Sequence, residues 1–356
     1  MGWVAVLVVR PFPAVDACAG WEIIEHFGTC DASAAAAAGT DRMVVASDED
    51  NILRVYPTHT AGMPLYTLDL TPFLEAWGKH PEADIEGAAS VGNRVYWITS
   101  HGTNKKGHLR PNRHRLFATE TAVDDGRVAI RPVGRPYTEL IRDLGTTMQL
   151  GRFKLGEAAK QPPRACGGLN IEGLCATPEG GLWIAFRNPI PDGMALLIPL
   201  ENPDEVIVGK TARFGNAIRL PLGGLGVRCI AYVETRGTYL IVAGPADPEA
   251  IFRLYEWSGN PSVPPKPRDG IPFKGLQPEG LVVFPSAEPR VLVVSDDGTM
   301  EIEGRRCKDA PLSERRFRTF RLPYFPSHPS GLNEPPGLRS LDAMTPAQDR
   351  MDDQSR

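Results

Sequence analysis

The strongest constraint on this chain is a unit that recurs along it: a polar residue, then Glu-Gly or a close variant, a short apolar strand, a turn, and a second apolar strand rich in β-branched and aromatic residues. One copy runs Asp84-Ile85-Glu86-Gly87-Ala88-Ala89, turns at Gly92-Asn93 and returns as Val95-Tyr96-Trp97-Ile98-Thr99. Another runs Asn170-Ile171-Glu172-Gly173-Leu174-Cys175-Ala176, turns at Gly180-Gly181 and returns as Leu182-Trp183-Ile184-Ala185-Phe186. A third reads Gln277-Pro278-Glu279-Gly280-Leu281-Val282-Val283, with Val291-Leu292-Val293-Val294-Ser295 as its return. Weaker copies start at Asp31-Ala32-Ser33-Ala34 and at Arg228-Cys229-Ile230-Ala231-Tyr232. Most copies offer a further strand, at 52–56, 115–118, 195–200 and 251–257. Repeated up-and-down meanders bury their faces only by stacking on one another, so the pattern predicts an all-β fold, a single β-propeller with five blades readable.

The stretch 119–166 breaks the spacing and includes a helical-looking run at 137–144; the sequence leaves open an insertion over one face or a degenerate sixth blade. A strand at 316–322 could complete the last blade, and 21–26 could close the ring from the N-terminal side. The propeller is therefore placed at 21–322. Residues 323–356 are Pro-rich and then polar, and disorder is expected toward the end, where nothing offsets the entropy of ordering. Residues 1–20 form an N-terminal extension with a signal-like apolar start, but no Lys or Arg precedes it, Arg10-Pro11 cuts it short, and it falls below the ~20 residues of a spanning helix.

Composition supports the same class. The chain holds 36 Gly and 34 Pro with 42% hydrophobic residues, the signature of many short elements joined by turns. Its 39 basic and 43 acidic residues give a net charge of -4, which argues against a nucleic-acid or membrane-surface partner and leaves a small ligand and a monomer as the expectation. No compartment is fixed, with the cytoplasm slightly favoured. The six cysteines are scattered without metal-ligand spacing, and most read as buried thiols.

In a propeller the innermost strands line the central channel, and the end of each second strand returns to the mouth where the first began. Strand alternation puts Asp84 with Glu86, Asn170 with Glu172, and Gln277 with Glu279 on common sides. Aligning the weaker copies gives an inner ring of Asp31, Glu86, Glu172, Arg228 and Glu279, joined by Ser100, His101, Arg187, Asn188, Asp296 and Asp297. Converging carboxylates repel unless a cation or an arginine balances them, and a carboxylate-rich oxygen set suits a hard divalent ion, calcium above others. Asp48, in Ser47-Asp48-Glu49-Asp50-Asn51, is placed in a turn from which it could reach the mouth. The basic stretch 100–115 supplies Lys105 and Arg113 as candidate contacts for an anionic ligand, unless it is simply a solvated hairpin.

Together, Cys30-Asp31-Ala32-Ser33, Ser47-Asp48-Glu49-Asp50-Asn51, Asp84-Ile85-Glu86-Gly87, Tyr96-Trp97-Ile98-Thr99-Ser100-His101-Gly102 and Asn170-Ile171-Glu172-Gly173-Leu174 resemble a bacterial propeller family known only as a domain of unknown function. The likeness spans roughly 21–322 and implies the fold. More distantly, the Glu-Gly strand starts are similar to those of phytase-like esterase propellers and of calcium-dependent lactonases, in which a strand-start glutamate binds the metal. That likeness reaches Glu86, Glu172 and Glu279, but the chain lacks the lactonase Glu-Gly-Pro-x-Trp, so it does not imply lactonase activity.

The expected function is a divalent-metal-dependent hydrolase of an ester, phosphate ester or lactone. In it Glu86, Glu172 and Glu279 hold the ion, Asp31 or Asp296 completes its ligand set or serves as base, and His101, Arg187 and Arg228 orient and stabilise the anionic transition state. Asp84, Asn170, Asn188, Lys105 and Arg113 complete the substrate-binding set. The alternative is a non-catalytic propeller that binds a small anionic ligand or a protein partner, with any metal structural.

Overall fold

The computed structural model describes residues 22–124, 127–245, 251–271, 273–286 and 289–323. The segments read as an N-terminal extension (1–20) and as most of the Pro-rich tail lie outside the described residues.

Five four-stranded antiparallel sheets form the blades of a β-propeller. The first comprises Ala32–Ala38, Arg42–Ser47, Ile52–Pro57 and Tyr66–Asp69; the second Ile85–Val91, Arg94–Thr99, Leu116–Asp124 and Arg127–Tyr137. The third comprises Asn170–Ala176, Leu182–Asn188, Ala195–Leu200 and Ile218–Leu220; the fourth Gly226–Val233, Thr238–Gly244, Arg253–Trp257 and Lys266–Arg268. The fifth takes Pro278–Phe284, Arg290–Ser295 and Arg316–Arg321 from the end of the chain and its outer strand, Ile23–Phe27, from the beginning. Pro278 is tolerated because it is the first residue of its strand, where the missing N–H costs least.

The ambiguous stretch 119–166 is resolved. Its first part extends the second blade as the long hairpin Leu116–Asp124 and Arg127–Tyr137, and the rest forms helices Leu140–Thr146 and Leu155–Ala158 around a 3-10 turn. Leu140, Leu144, Leu150 and Leu155 bury themselves in the wedge between the second and third blades, so no sixth blade exists among the described residues.

The apolar interior is five wedges, each filled by side chains of two adjacent blades. Inner strands touch their neighbours all the way round. Each also carries a one-residue register shift, at 32/34, 85/87, 171/173, 227/229 and 278/280. The extra residues are Ser33, Glu86, Glu172, Arg228 and Glu279. A β-bulge frees its residue from the ladder and re-aims the side chain. Space explains the glycine that follows the glutamates: a Cβ at Gly87 would lie 2.9 Å from Ile98 Cγ2 and 3.0 Å from the Leu174 backbone nitrogen of the next blade.

Ring closure buries His26. Its Nε2 lies 3.0 Å from Thr319 Oγ1, and its ring stacks on Phe317 at 5.0 Å. Burial lowers its pKa from 6.5 to about 4. The unfolded chain therefore takes up a proton below pH 6.5 that the folded chain refuses until about pH 4, and stability falls across that window. The loss from this residue reaches about 3 kcal/mol. A His26→Met variant is expected to show a smaller drop in melting temperature between pH 7 and pH 4.5 than the native chain; an equal drop would remove His26 as its source.

Candidate functional site

The five bulges set a ring at one end of the central channel, and the register corrects one member of it. In the first blade the bulge residue is Ser33, whose Oγ donates to the Ile85 carbonyl at 2.5 Å. Asp31, aligned from sequence with Glu86, lies two positions earlier, equivalent to Asp84, Asn170 and Gln277.

The ring divides into a balanced half and an acidic half. In the balanced half Arg228 Nη1 lies 2.8 Å from Glu172 Oε2, and its Nη2 pairs with Glu279 Oε1. Arg187 Nη1 donates to Glu172 Oε1 at 2.6 Å and its Nε to the Pro245 carbonyl at 3.0 Å; Asn170 adds a donor to Glu172 Oε1 at 2.8 Å. Arg228 is only 2% exposed. Burial alone would lower its pKa, but Glu172, Glu279, Glu86 and Asp296 outweigh that and hold the guanidinium above its usual range. Burial, reinforced by Asp296 and Glu172, raises the Glu279 carboxyl above its ordinary range, while the Arg228 guanidinium beside it pulls the other way.

The acidic half contains Asp48, Asp84 and Glu86, each offering an oxygen within 4.8 Å of the others. Asp48 stands just beyond the second strand of its blade, Asp84 and Glu86 at the inner-strand start of the next. Asp84 is held by Arg113 at 2.9 Å, while no ion pair among the described residues engages Asp48 or Glu86. Asp48 Oδ1 is buried without a hydrogen-bond partner. Burial, then Asp296, Asp84, Glu279 and Asp31, push the Asp48 carboxyl well above its ordinary range; burial, then Asp84, Glu172 and Glu279, do the same to Glu86. An orphaned carboxylate oxygen in an all-oxygen cluster fits a hard divalent cation. Of the three glutamates read as ligands from sequence, Glu86 belongs to this cluster, whereas Glu172 and Glu279 are engaged by Arg228.

Asp31 and Asp296 flank Gly298, where a Cβ would fall 1.9 Å from Asp31 Oδ1 and 3.2 Å from Asp296 Oδ1. Asp296 accepts the Gly298 N–H at 2.8 Å. Burial first, then neighbouring carboxylates, raise Asp31 to about 6; burial, against that hydrogen bond, raises Asp296 to about 7. Asp297 is instead neutralised by Arg318, its Oδ2 accepting from Nε at 2.8 Å.

The cysteine reading is corrected here. Cys30 and Cys307 form a disulfide, while Cys175 and Cys229 are buried thiols and Cys166 is exposed. The bridge seats the loop after Asp296 against Asp31, helped by a bond from the Asp297 N–H to the Cys30 carbonyl at 2.9 Å. A sequence separation of 277 left no spacing motif to read.

His101 is fully buried with φ +53°, and its Nδ1 lies 2.8 Å from the Thr99 carbonyl, which makes Nδ1 the donor and leaves Nε2 a lone pair. Its ring neighbours His114 at 5.4 Å, and burial, then His114, lower its pKa to about 3. Asn188 donates to the Pro163 and Ala165 carbonyls at 2.9 and 2.7 Å, pinning the helical insertion. In the basic stretch, Arg113 is engaged by Asp84 and Arg115 donates to the Leu74 and Pro111 carbonyls, while Lys105 is exposed.

No family model matches the chain, and no curated protein matches it. Solved structures similar to it include glutaminyl cyclase from Myxococcus xanthus, with 14% identity, TM-score 0.40, and 84% of this chain and 97% of that chain covered. A gluconolactonase from Xanthomonas campestris shows 13% identity, TM-score 0.37 and coverages of 77% and 72%. The PQQ-bound aldose sugar dehydrogenase from Streptomyces coelicolor shows 11% identity, TM-score 0.41 and coverages of 85% and 98%. Likenesses of this extent carry no argument about the reaction.

Proposed function

We propose that the channel mouth is the active site of a divalent-cation-dependent hydrolase acting on a small anionic ester, phosphate ester or lactone. The observation that carries this reading is the Asp48, Asp84 and Glu86 cluster with its buried, unpartnered Asp48 Oδ1. These residues would hold the cation, with calcium the first choice for an all-oxygen donor set. When bound, such an ion supplies Lewis acidity toward a carbonyl or phosphoryl oxygen and makes water more acidic. Asp296, its carboxyl raised to about 7, can take a proton from an attacking water near neutrality, and Asp31 stands beside it for the same work. Arg228 and Arg187 keep Glu172 and Glu279 from competing for the cation and add positive field beside the anionic substrate. The Cys30–Cys307 bridge supports maturation in an oxidising compartment rather than in the cytoplasm favoured by the sequence reading.

A second reading, a binding propeller whose cation is structural, draws on the same pairing, because the Arg228 network stabilises its half of the ring without any chemistry. Thermal melts and turnover separate the two. Chelation is expected to lower the melting temperature, and calcium at 100 times its dissociation constant to restore about 2.7 kcal/mol. An Asp48→Asn variant should show neither response. Hydrolysis within a broad ester and phosphoester panel, lost in Asp48→Asn and Asp296→Asn while both remain folded, supports the hydrolase. Cation-dependent melting without turnover supports the binding module, and a melt indifferent to chelation and cations rejects the cation site.

A further inference from the structure

Beside the channel mouth, between the fourth and fifth blades, lies a cavity of about 650 Å³, within the ~300–1,000 Å³ range of small-molecule sites. One wall is apolar: Phe252, Phe273, Ile271 and Leu276, with Ile251, 71% exposed, at the rim. Phe252 and Phe273 meet edge to face at 6.3 Å, and Phe273 is braced in turn by Phe320 at 6.0 Å, so the wall is backed by packed core. The rest of the lining is polar and includes Gln277, Asp296 and Thr299.

Two contacts make this cavity continuous with the channel mouth. Asp296 belongs to both. The Arg228 guanidinium also stands over the Phe252 ring at 5.7 Å, and Gly244 permits this approach, since a Cβ there would lie 2.8 Å from the ring and 2.9 Å from Arg228 Cγ. An apolar wall that adjoins the Asp296 carboxylate and is backed by the central arginine suits a ligand with a charged head and an apolar body.

We propose that this cavity is the subsite for an apolar, aryl-sized group of the substrate, whose anionic, hydrolysable end lies at the channel mouth. The proposal rests on the hydrolase reading and narrows its substrate class to esters or phosphoesters with such a group, excluding small, wholly polar ones. Burying an aryl ring against Phe252 and Phe273 favours the larger ligand by about tenfold or more.

The test uses phenylphosphonate and methylphosphonate, which share a non-hydrolysable anionic head, titrated calorimetrically into the full chain with calcium present. Phenylphosphonate is expected to bind at least about tenfold more tightly. A Thr299→Trp variant, which fills the cavity from its exposed polar wall without removing core, should abolish that preference while keeping methylphosphonate affinity and the melting temperature. Equal binding of the two probes by the native chain overturns the subsite and leaves the hydrolase reading standing. Retention of the preference in Thr299→Trp places the aryl group elsewhere and also overturns it. Binding of neither probe overturns the anionic channel-mouth site, and the subsite with it.

Discussion

An Arg228→Met variant is expected to lose about 3–5 kcal/mol of stability, because removing one partner of a buried ionic network leaves uncompensated charge. Arg228 sits at the bulge of the fourth blade and pairs with Glu172 on one side and Glu279 on the other. Methionine can keep much of the packing but none of the charge, so three glutamates are left facing one channel with Arg187 as the nearest balance. The folded chain must then hold protons on these carboxyls at neutral pH or accept their repulsion. Urea unfolding should show a lower midpoint with an unchanged slope. Adding Glu172→Gln and Glu279→Gln to Arg228→Met should recover a substantial part of the loss, since neutral amides no longer need the guanidinium. A loss below about 1 kcal/mol in Arg228→Met would mean that the glutamates are balanced without it.

The ring was legible in sequence where repetition made it so. Glu86, Glu172 and Glu279 share a Glu-Gly start, and that dipeptide reflects a bulge residue followed by a position where the next strand or blade leaves no room for a side chain. Arg228 was found by alignment alone. Asp31 was misaligned by two positions because its blade has Ser33-Ala34 in place of Glu-Gly, and a two-residue slip preserves strand alternation, so periodicity could not expose it. Five blades were readable, but whether the stretch 119–166 made a sixth was not, because a long outer hairpin followed by short helices has no repeat to match. How charge divides around the ring escaped the sequence for another reason. Which carboxylates meet Arg228 and which are left with Asp48 depends on blade order around a closed ring and on side-chain reach.

Replacing Cys30 and Cys307 together by serine is expected to cost about 2–5 kcal/mol, toward the upper end because so long a loop is closed. The bridge joins the entrance of the first blade to an excursion of the fifth. It therefore reinforces the seam that Ile23–Phe27 closes by pairing with Arg316–Arg321, where a ring made from one chain has to be fastened. It also acts on the site. Cys30 immediately precedes Asp31, and the Cys307 segment meets the loop after Asp296 through the bond of the Cys307 N–H to the Met300 carbonyl at 2.7 Å. Lys308 meets Glu49 at 2.8 Å, next to Asp48. With the covalent tie gone, Asp31 and Asp296 keep their places at the ends of paired strands, but the loop that joins them across the seam is held by these weaker contacts alone. The double variant, or the native chain under reductant, should melt lower and show a smaller stabilisation by calcium than the oxidised chain. Lower melting with an undiminished calcium response would confine the bridge to ring closure and separate it from the site.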